Sequence, residues 1–145
     1  MTISKGDVEH YFNRYAMAFR DGLEGSLNIE SLRSLYSTQY IAAGPKGVMA
    51  GDNDDAFGER MSKGYEQYRQ IGTKAMTVTG VEVHSIDETH CLAHVGWNSE
   101  FEKDGRRIDI PFTNTYLLEQ SDGVLKAFGW ITGDEVQLLK DNGLM

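Results

Sequence analysis

The C-terminal half of the sequence places polar side chains among aromatic ones at alternating positions. Successive side chains of an extended strand point to opposite faces, so every second residue shares a face. The inward residues that we expect to line a ligand pocket are Trp97, Ser99, Phe101, Phe112, Asn114, Tyr116, Phe128, Trp130 and Thr132. Asn114, Ser99 and Thr132 can hydrogen-bond to a ligand, and the rings offer it apolar contact. The pattern therefore predicts binding of a small, mostly apolar molecule.

Asn114 is the central polar residue of this set, and its environment has two interpretations. A buried polar side chain without a partner costs about 1–3 kcal/mol. The partner of Asn114 is either neighbouring backbone or buried water, or it is a polar atom of a ligand. Trp97 and Trp130 present the same choice, because an indole ring can fill a core or stack on a ligand.

The charge balance excludes two classes of partner. The 145 residues carry a net charge of −8, so the surface repels nucleic-acid phosphates and anionic lipid. Neither a signal-type apolar segment nor a run of about 18 apolar residues occurs, which predicts a cytoplasmic protein. We therefore expect no nucleic-acid partner and no membrane partner.

No residue pattern indicates a metal or a cofactor. Cys91 is the single cysteine, and we expect it to be a buried, inert thiol. His84 and His94 lie on separate predicted strands, with no carboxylate at ligand spacing. The run GDNDD at 51–55 lacks the glycine and the distant glutamate of a calcium loop, and helix capping explains it better. Phosphate-binding and dinucleotide-binding fingerprints are missing as well.

The first half of the chain has the spacing of amphipathic helices. Apolar residues at three- and four-residue steps predict a first helix over residues 7–20 and a second over 28–36. The interval 37–51 is rich in turn residues, and we expect only a short strand near 40–42 and a turn there. A third helix opens with the acidic residues of 52–55 and ends near Gly72.

The second half alternates apolar and polar residues with the period of strands. We predict four long strands, over residues 73–86, 89–103, 106–120 and 124–132. Asp-Gly pairs indicate tight hairpin turns between the later strands. A short last helix over 134–141 follows, with Thr132 and Glu135 at the spacing of a capping box. Helices followed by strands indicate an α+β fold, and the length suits a single domain over 1–145.

Three stretches are similar to ketosteroid isomerase. They are NRYAMAF in the first helix, YIAAGP in the turn region and DGRRIDIPFTNTYLLE in the third long strand. Together with the order of elements and the terminal GWITGDE, they make the whole chain resemble the NTF2-like superfamily, which includes the SnoaL-like proteins. The resemblance implies a cone in which three N-terminal helices pack on a strongly curved antiparallel sheet, with a short C-terminal helix.

The resemblance also implies roles for individual residues. Tyr15 falls on the oxyanion-hole tyrosine of the isomerase, and Asn114 falls on the aspartic acid that stays protonated to donate a hydrogen bond. Tyr15 is alternatively a core tyrosine whose hydroxyl reaches the surface. Gly44 stands where the isomerase keeps its general base, and glycine cannot accept a proton. We expect Asp134, near the C-terminus, to cap the last helix, and it is also the candidate for a replacement base.

Three functions are compatible with these residues. The first is a homodimeric protein that binds a small molecule through Tyr15 and Asn114 and dimerises through the outer sheet face. The second is an acid–base enzyme of the isomerase, cyclase or dehydratase type, with a base from another position. The third is a non-catalytic dimeric interaction module whose interior is packed shut and whose outer sheet face makes the functional contacts. A cavity of about 300 Å³ or more that touches Tyr15 and Asn114 favours the first two.

Overall fold

The computed structural model describes residues 3–145, and the first two residues of the predicted 1–145 domain lie outside the described residues. The helices are α1 (Lys5–Glu24), α2 (Ile29–Arg33), α3 (Asp55–Ile71) and α4 (Glu135–Asp141). No helix within residues 3–145 has the length and apolar character needed to cross a bilayer. The three N-terminal helices and the short C-terminal helix correspond to the predicted α-helical part of the fold.

Local capping explains where the long helices begin and end. Ser4 accepts a hydrogen bond from the Asp7 backbone, and the Asp7 carboxylate accepts one from the Ser4 backbone, which makes a capping box for α1. Asp54 caps α3, so the acidic run at 51–55 starts a helix as expected. Gly72 ends α3 with a φ of 102°, a conformation that glycine adopts without steric cost.

Within residues 3–145, six strands form one curved sheet in the order β2-β1-β6-β5-β4-β3. They are β1 (Tyr36–Gly44), β2 (Gly47–Asp52), β3 (Thr73–Ser85), β4 (His90–Lys103), β5 (Arg106–Ser121) and β6 (Val124–Ile131). Strands β3 to β6 are the predicted antiparallel meander, and β1 joins it parallel to β6. Irregular register in β3 and between β5 and β6 marks bulges, which bend the sheet.

The region before α3 differs from the sequence-based expectation. The prediction of a helix through Tyr36 is wrong, because α2 ends at Arg33 and Tyr36 already pairs with Ala127 of β6. The Leu35 carbonyl accepts hydrogen bonds from the Ala127 backbone and from the Tyr11 hydroxyl, which draws the chain into the sheet. The single short strand expected near 40–42 is a full hairpin of β1 and β2.

Helix α1 covers the inner face of the sheet. Its residues Val8, Tyr11, Phe12 and Phe19 are buried, and the Phe12 ring lies 4.8 Å from that of Tyr116 in β5. A second apolar cluster joins the C-terminal segment to the far end of the sheet through Leu138, Leu139, Leu144, Phe101, Ile110, Ile108 and Ile71. Helix α1 and the C-terminal segment therefore cover the two ends of the inner face.

We expect the contact between α1 and α3 to depend on Gly22. A Cβ atom on Gly22 would lie 2.5 Å from the Tyr65 ring, so Gly22→Ala should lower the free energy of unfolding by about 1–3 kcal/mol. Gly64→Ala in α3 is the matched control, because nothing lies within 4 Å of its Cβ position and alanine favours a helix. Urea unfolding measures both variants, and equal midpoints would contradict this account of the packing.

Candidate functional site

A cavity of about 420 Å³ opens between the inner face of the sheet and helices α1, α3 and α4. Its wall is mostly aromatic and aliphatic, with a few hydroxyl and amide groups and two charged residues, Arg60 and Glu135. Eight of the residues predicted from the sequence line it: Tyr15, Ser99, Phe101, Phe112, Asn114, Tyr116, Trp130 and Thr132. The polar and aromatic groups that the alternation pattern brought together therefore do meet around one space.

Trp97 faces inward but does not line the cavity. Its side chain is only 1% exposed and belongs to the core, and its indole Nε1 donates to the Tyr116 hydroxyl at 3.1 Å. The expectation that Trp97 contacts a ligand directly is therefore wrong. The ring lies behind Tyr116 and holds that hydroxyl in place.

Phe128 lies on the opposite face of the sheet from the cavity. Leu117 pairs with Gly129 and Leu118 pairs with Ala127, so Phe128 is the extra residue of a bulge in β6. Its ring packs 5.9 Å from His90, whose strand position pairs with the outward-facing Glu119. The inward placement predicted for Phe128 is wrong because one additional residue reverses the alternation of side chains at that point.

Tyrosines and Asn114 form the deep end of the cavity, which we call the inner pole (Tyr15, Asn114 and Tyr116). The Tyr15 ring lies 5.7 Å from that of Tyr116 and 6.2 Å from that of Tyr36. Burial raises the pKa of Tyr15 and of Tyr36 well above the ordinary value. Burial also raises the pKa of Tyr116, although Asn114, Trp97 and Tyr15 act in the opposite direction. The inner pole therefore offers neutral hydroxyl and amide groups at physiological pH.

The open end of the cavity, which we call the outer pole (Tyr68, Glu135 and Arg60), was not predicted from the sequence. The Tyr68 hydroxyl donates a hydrogen bond to Oε1 of Glu135. Burial, followed by the nearby Glu135 carboxylate, raises the pKa of Tyr68. Arg60 Nη2 donates to the Tyr40 hydroxyl at 2.8 Å, and the Tyr40 ring stacks on Trp130 of the cavity wall at 5.0 Å. The outer pole thus combines a carboxylate with a guanidinium group.

Asp134 lies beside this pole but does not reach the cavity. Its side chain accepts a hydrogen bond from the Gln137 backbone at 3.0 Å and caps α4. The cap of α4 is therefore Asp134, and the capping box predicted from Thr132 is wrong. Because Asp134 is committed to the helix end, Glu135 in the first helical turn is the carboxylate that faces the cavity.

Gly44 lies at the edge of the cavity without contributing an acid. It is the last residue of β1, and a Cβ atom built on it would lie 3.4 Å from Oγ1 of Thr132, which lines the cavity. A side chain at position 44 would therefore begin next to the cavity wall. The described structure thus has its cavity carboxylate at position 135 and none at position 44.

Neither a metal centre nor a reactive thiol is indicated within residues 3–145. Their histidine, cysteine, aspartate and glutamate side chains form no cluster of three that could hold a metal ion. Cys91 is buried on the inner face of β4, and burial raises its pKa to about 11, which keeps the thiol protonated. The polar groups that line the cavity include those of the two poles and the hydroxyl groups of Ser99, Thr113 and Thr132.

A family model for NTF2-like proteins, DUF6841, matches residues 5–135. The chain belongs to this NTF2-like family. No curated protein matches its sequence. The match confirms the predicted superfamily, and it spans every element that forms the cavity up to Glu135.

Solved structures share the NTF2-like fold at low sequence identity. An NTF2-like protein with a cystatin-like fold from Novosphingobium aromaticivorans is 11% identical with a TM-score of 0.70, over 97% of this chain and 88% of that one. A ketosteroid isomerase-like protein from Erwinia carotovora atroseptica is 14% identical with a TM-score of 0.60, over 88% of this chain and 93% of that one. A protein described as a Ca/calmodulin-dependent kinase II association domain from Exiguobacterium sibiricum is 16% identical with a TM-score of 0.60, over 92% of this chain and 95% of that one. At these identities the likeness is one of fold alone.

The buried tyrosines predict how the stability of this NTF2-like domain depends on pH. Their folded-state pKa is raised, so both states stay protonated below pH 10 and only the unfolded chain ionises just above it. The free energy of unfolding should therefore fall above pH 10, by at most about 1.4 kcal/mol per pH unit for each tyrosine. Cys91 adds a similar loss between pH 9 and 11.

Urea unfolding between pH 8 and 11, with phenolate absorbance recorded on the folded protein, measures this effect. Tyr15→Phe should reduce the slope above pH 10, and Cys91→Ala should remove the part that begins near pH 9. Ionisation of most tyrosines at pH 10.5 without unfolding would contradict the burial described above.

Proposed function

We propose that the cavity binds a small, mostly apolar molecule and that Tyr15 and Asn114 donate hydrogen bonds to one of its polar atoms. The observation that carries the proposal is that both residues lie in the wall of one cavity of about 420 Å³. This volume falls in the range of about 300–1,000 Å³ that is typical of small-molecule sites. Such an open space also argues against the interaction module with a closed interior.

The chemistry of the wall supports an apolar ligand with a hydrogen-bond acceptor. Aromatic and aliphatic side chains gain roughly 25 cal/mol for each Å² of apolar surface that they bury. Tyr15 keeps its proton because burial raises its pKa, and an amide is always neutral, so both groups can donate. The carbonyl oxygen of a ring ketone, or a similar oxygen on a ring compound, can accept hydrogen bonds from both of these donors.

Acid–base catalysis is the second candidate, and the Glu135 carboxylate is the observation that favours it. Glu135 lies in the same cavity as the donors of the inner pole. A carboxylate opposite two hydrogen-bond donors is an arrangement that can move a proton on a bound carbonyl compound. This candidate differs from the first in requiring a chemical change of the bound molecule.

We propose further that the protein is a cytoplasmic homodimer joined through the outer sheet face. An apolar stripe formed by Ile41, Val48, Leu92, Leu117 and Ile131 crosses that face. Ile41, Val48 and Ile131 are 44%, 71% and 52% exposed, which is costly for side chains that have no partner. Polar pairs follow it along β4 and β5 on the same face, with His94 bonded to Thr115, Asn98 to Asp109, and Glu100 paired with Arg107.

Ligand binding can be tested by thermal shift with ring ketones, polyketide-like aromatics and steroids. A ligand should raise the melting temperature of the native protein, and Asn114→Leu should weaken its binding roughly tenfold because one donor is lost. Asn98→Leu is the matched control, since it removes an amide from the outer face. The absence of any shift with every compound, or equal shifts in Asn114→Leu, would refute the proposed site.

The dimer can be tested by light scattering of the purified protein. The native chain of 16.2 kDa should have about twice that mass, and Ile131→Asp should give the mass of one chain because it places a charge in the apolar stripe. Ile86→Asp is the control, because Ile86 is similarly exposed at 59% but lies beyond the end of β3. A single-chain mass for the native protein at micromolar concentration would count against the dimer.

A further inference from the structure

The two poles of the cavity have opposite hydrogen-bonding character. At the inner pole, Tyr15 and Asn114 have protons to donate, and burial keeps the tyrosine neutral. At the outer pole, Glu135 offers carboxylate oxygens that can only accept. A ligand that fills the cavity from end to end therefore meets donors at one end and an acceptor at the other.

The position of Glu135 is well determined by its neighbours. It occupies the first turn of α4, which Asp134 caps and which Leu139 anchors in the apolar cluster with Phe101. Tyr68 of α3 donates to Oε1 and so orients the carboxylate from the other side. Tyr68 supplies one donor, whereas a carboxylate can accept about four hydrogen bonds. The Glu135 carboxylate can therefore accept a hydrogen bond from a further donor in the cavity.

The charge around Glu135 indicates which donor fits. No ion pair among residues 3–145 involves Glu135, so its charge is not neutralised by direct contact. Arg60 nevertheless lines the same cavity, where it is held by the Tyr40 hydroxyl. A cationic ligand would be attracted by Glu135 and repelled by Arg60, whereas a neutral hydroxyl group gains from the carboxylate without that opposition.

We propose that Glu135 recognises a hydroxyl group at the outer end of the ligand, which makes the ligand class a ring ketone with a hydroxyl group remote from its carbonyl. This inference rests on the proposed function, because the carbonyl is the group that Tyr15 and Asn114 hold. Glu135 is exposed at the open end of the cavity, so with a ring ketone that lacks the hydroxyl the carboxylate keeps its hydrogen bonds to water. The hydroxylated compound makes a charge-assisted hydrogen bond in place of one to water, and the site therefore favours that compound.

Two pairs of probes of different length test the proposal. They are 1-tetralone with 6-hydroxy-1-tetralone, and flavanone with 4′-hydroxyflavanone, and their dissociation constants are measured by calorimetry. In at least one pair, the hydroxylated compound should bind the native protein roughly 3- to 10-fold more tightly, as expected for a hydrogen bond to a carboxylate that is exposed to solvent.

Glu135→Gln separates recognition from folding. The amide oxygen can still accept from Tyr68, and the amide NH2 group can form only a neutral hydrogen bond with the hydroxyl group, so the preference for the hydroxylated probe should fall to about twofold or less. Glu66→Gln removes the same charge from the exposed side of α3 and should leave the preference unchanged. Tyr68→Phe should reduce the preference in part, because the carboxylate loses its orienting partner. Unchanged melting temperatures establish that each variant is folded.

The outcomes distinguish this inference from the proposed function. If both members of each pair bind equally, or if Glu135→Gln keeps the preference, while Asn114→Leu still weakens every probe, then the role of Glu135 is refuted and the binding site stands. If Asn114→Leu has no effect, or if no probe binds, then the proposed function fails and this inference fails with it.

Discussion

The contact between the aromatic face of α1 and the inner face of β4 and β5 is the interaction on which the rest of the structure depends. Phe12 and Tyr15 lie against Tyr116 and Trp97 with ring separations of 4.8 to 6.3 Å. Large rings packed at these distances hold the helix on the sheet and bury much apolar area. They also hold α1 at a fixed height above the strands. The cavity is the space that remains beyond this contact, between the sheet, α3 and α4.

Burial of the tyrosines sets the electrostatic character of that space. A hydroxyl taken out of water resists ionisation, so the aromatic residues that support the fold also supply neutral donors to the cavity. Among the described residues that line the cavity, full charges occur only where it opens, at Arg60 and Glu135, where solvation and hydrogen bonds can offset the cost of burial. The fold thus separates a neutral inner pole from a charged outer pole, and that separation follows from depth below the surface.

Much of the fold and half of the site could be predicted, and the failures have identifiable physical causes. The alternation in β4 and β5 correctly predicted that Ser99, Asn114 and Tyr116 face the cavity, because those strands pair without interruption. The same rule failed at Phe128, where a bulge in β6 adds one residue. The hairpin of β1 and β2 was missed because its glycines and proline indicate a turn, and its stability comes from pairing with β6. Glu135 was interpreted as part of a capping box, because it lies three residues after Thr132. That spacing does not indicate whether its carboxylate faces the cavity.

The sequence by itself determined the superfamily, the order of the helices and of the four long strands, and the residues of the inner pole. The order of these elements and the inward positions of Asn114 and Tyr116 follow from the local periodicity of apolar residues and from turn and cap residues, which act over a few positions of the chain. The superfamily and the role of Tyr15 follow from the resemblance of three stretches to ketosteroid isomerase. Only the tertiary structure decided which face Phe128 occupies, that Trp97 lies behind the cavity wall, and that Glu135 meets Tyr68 across 67 positions of the chain. Those outcomes depend on strand register and on the docking of α4 against α3, and they involve segments that no local pattern relates to one another.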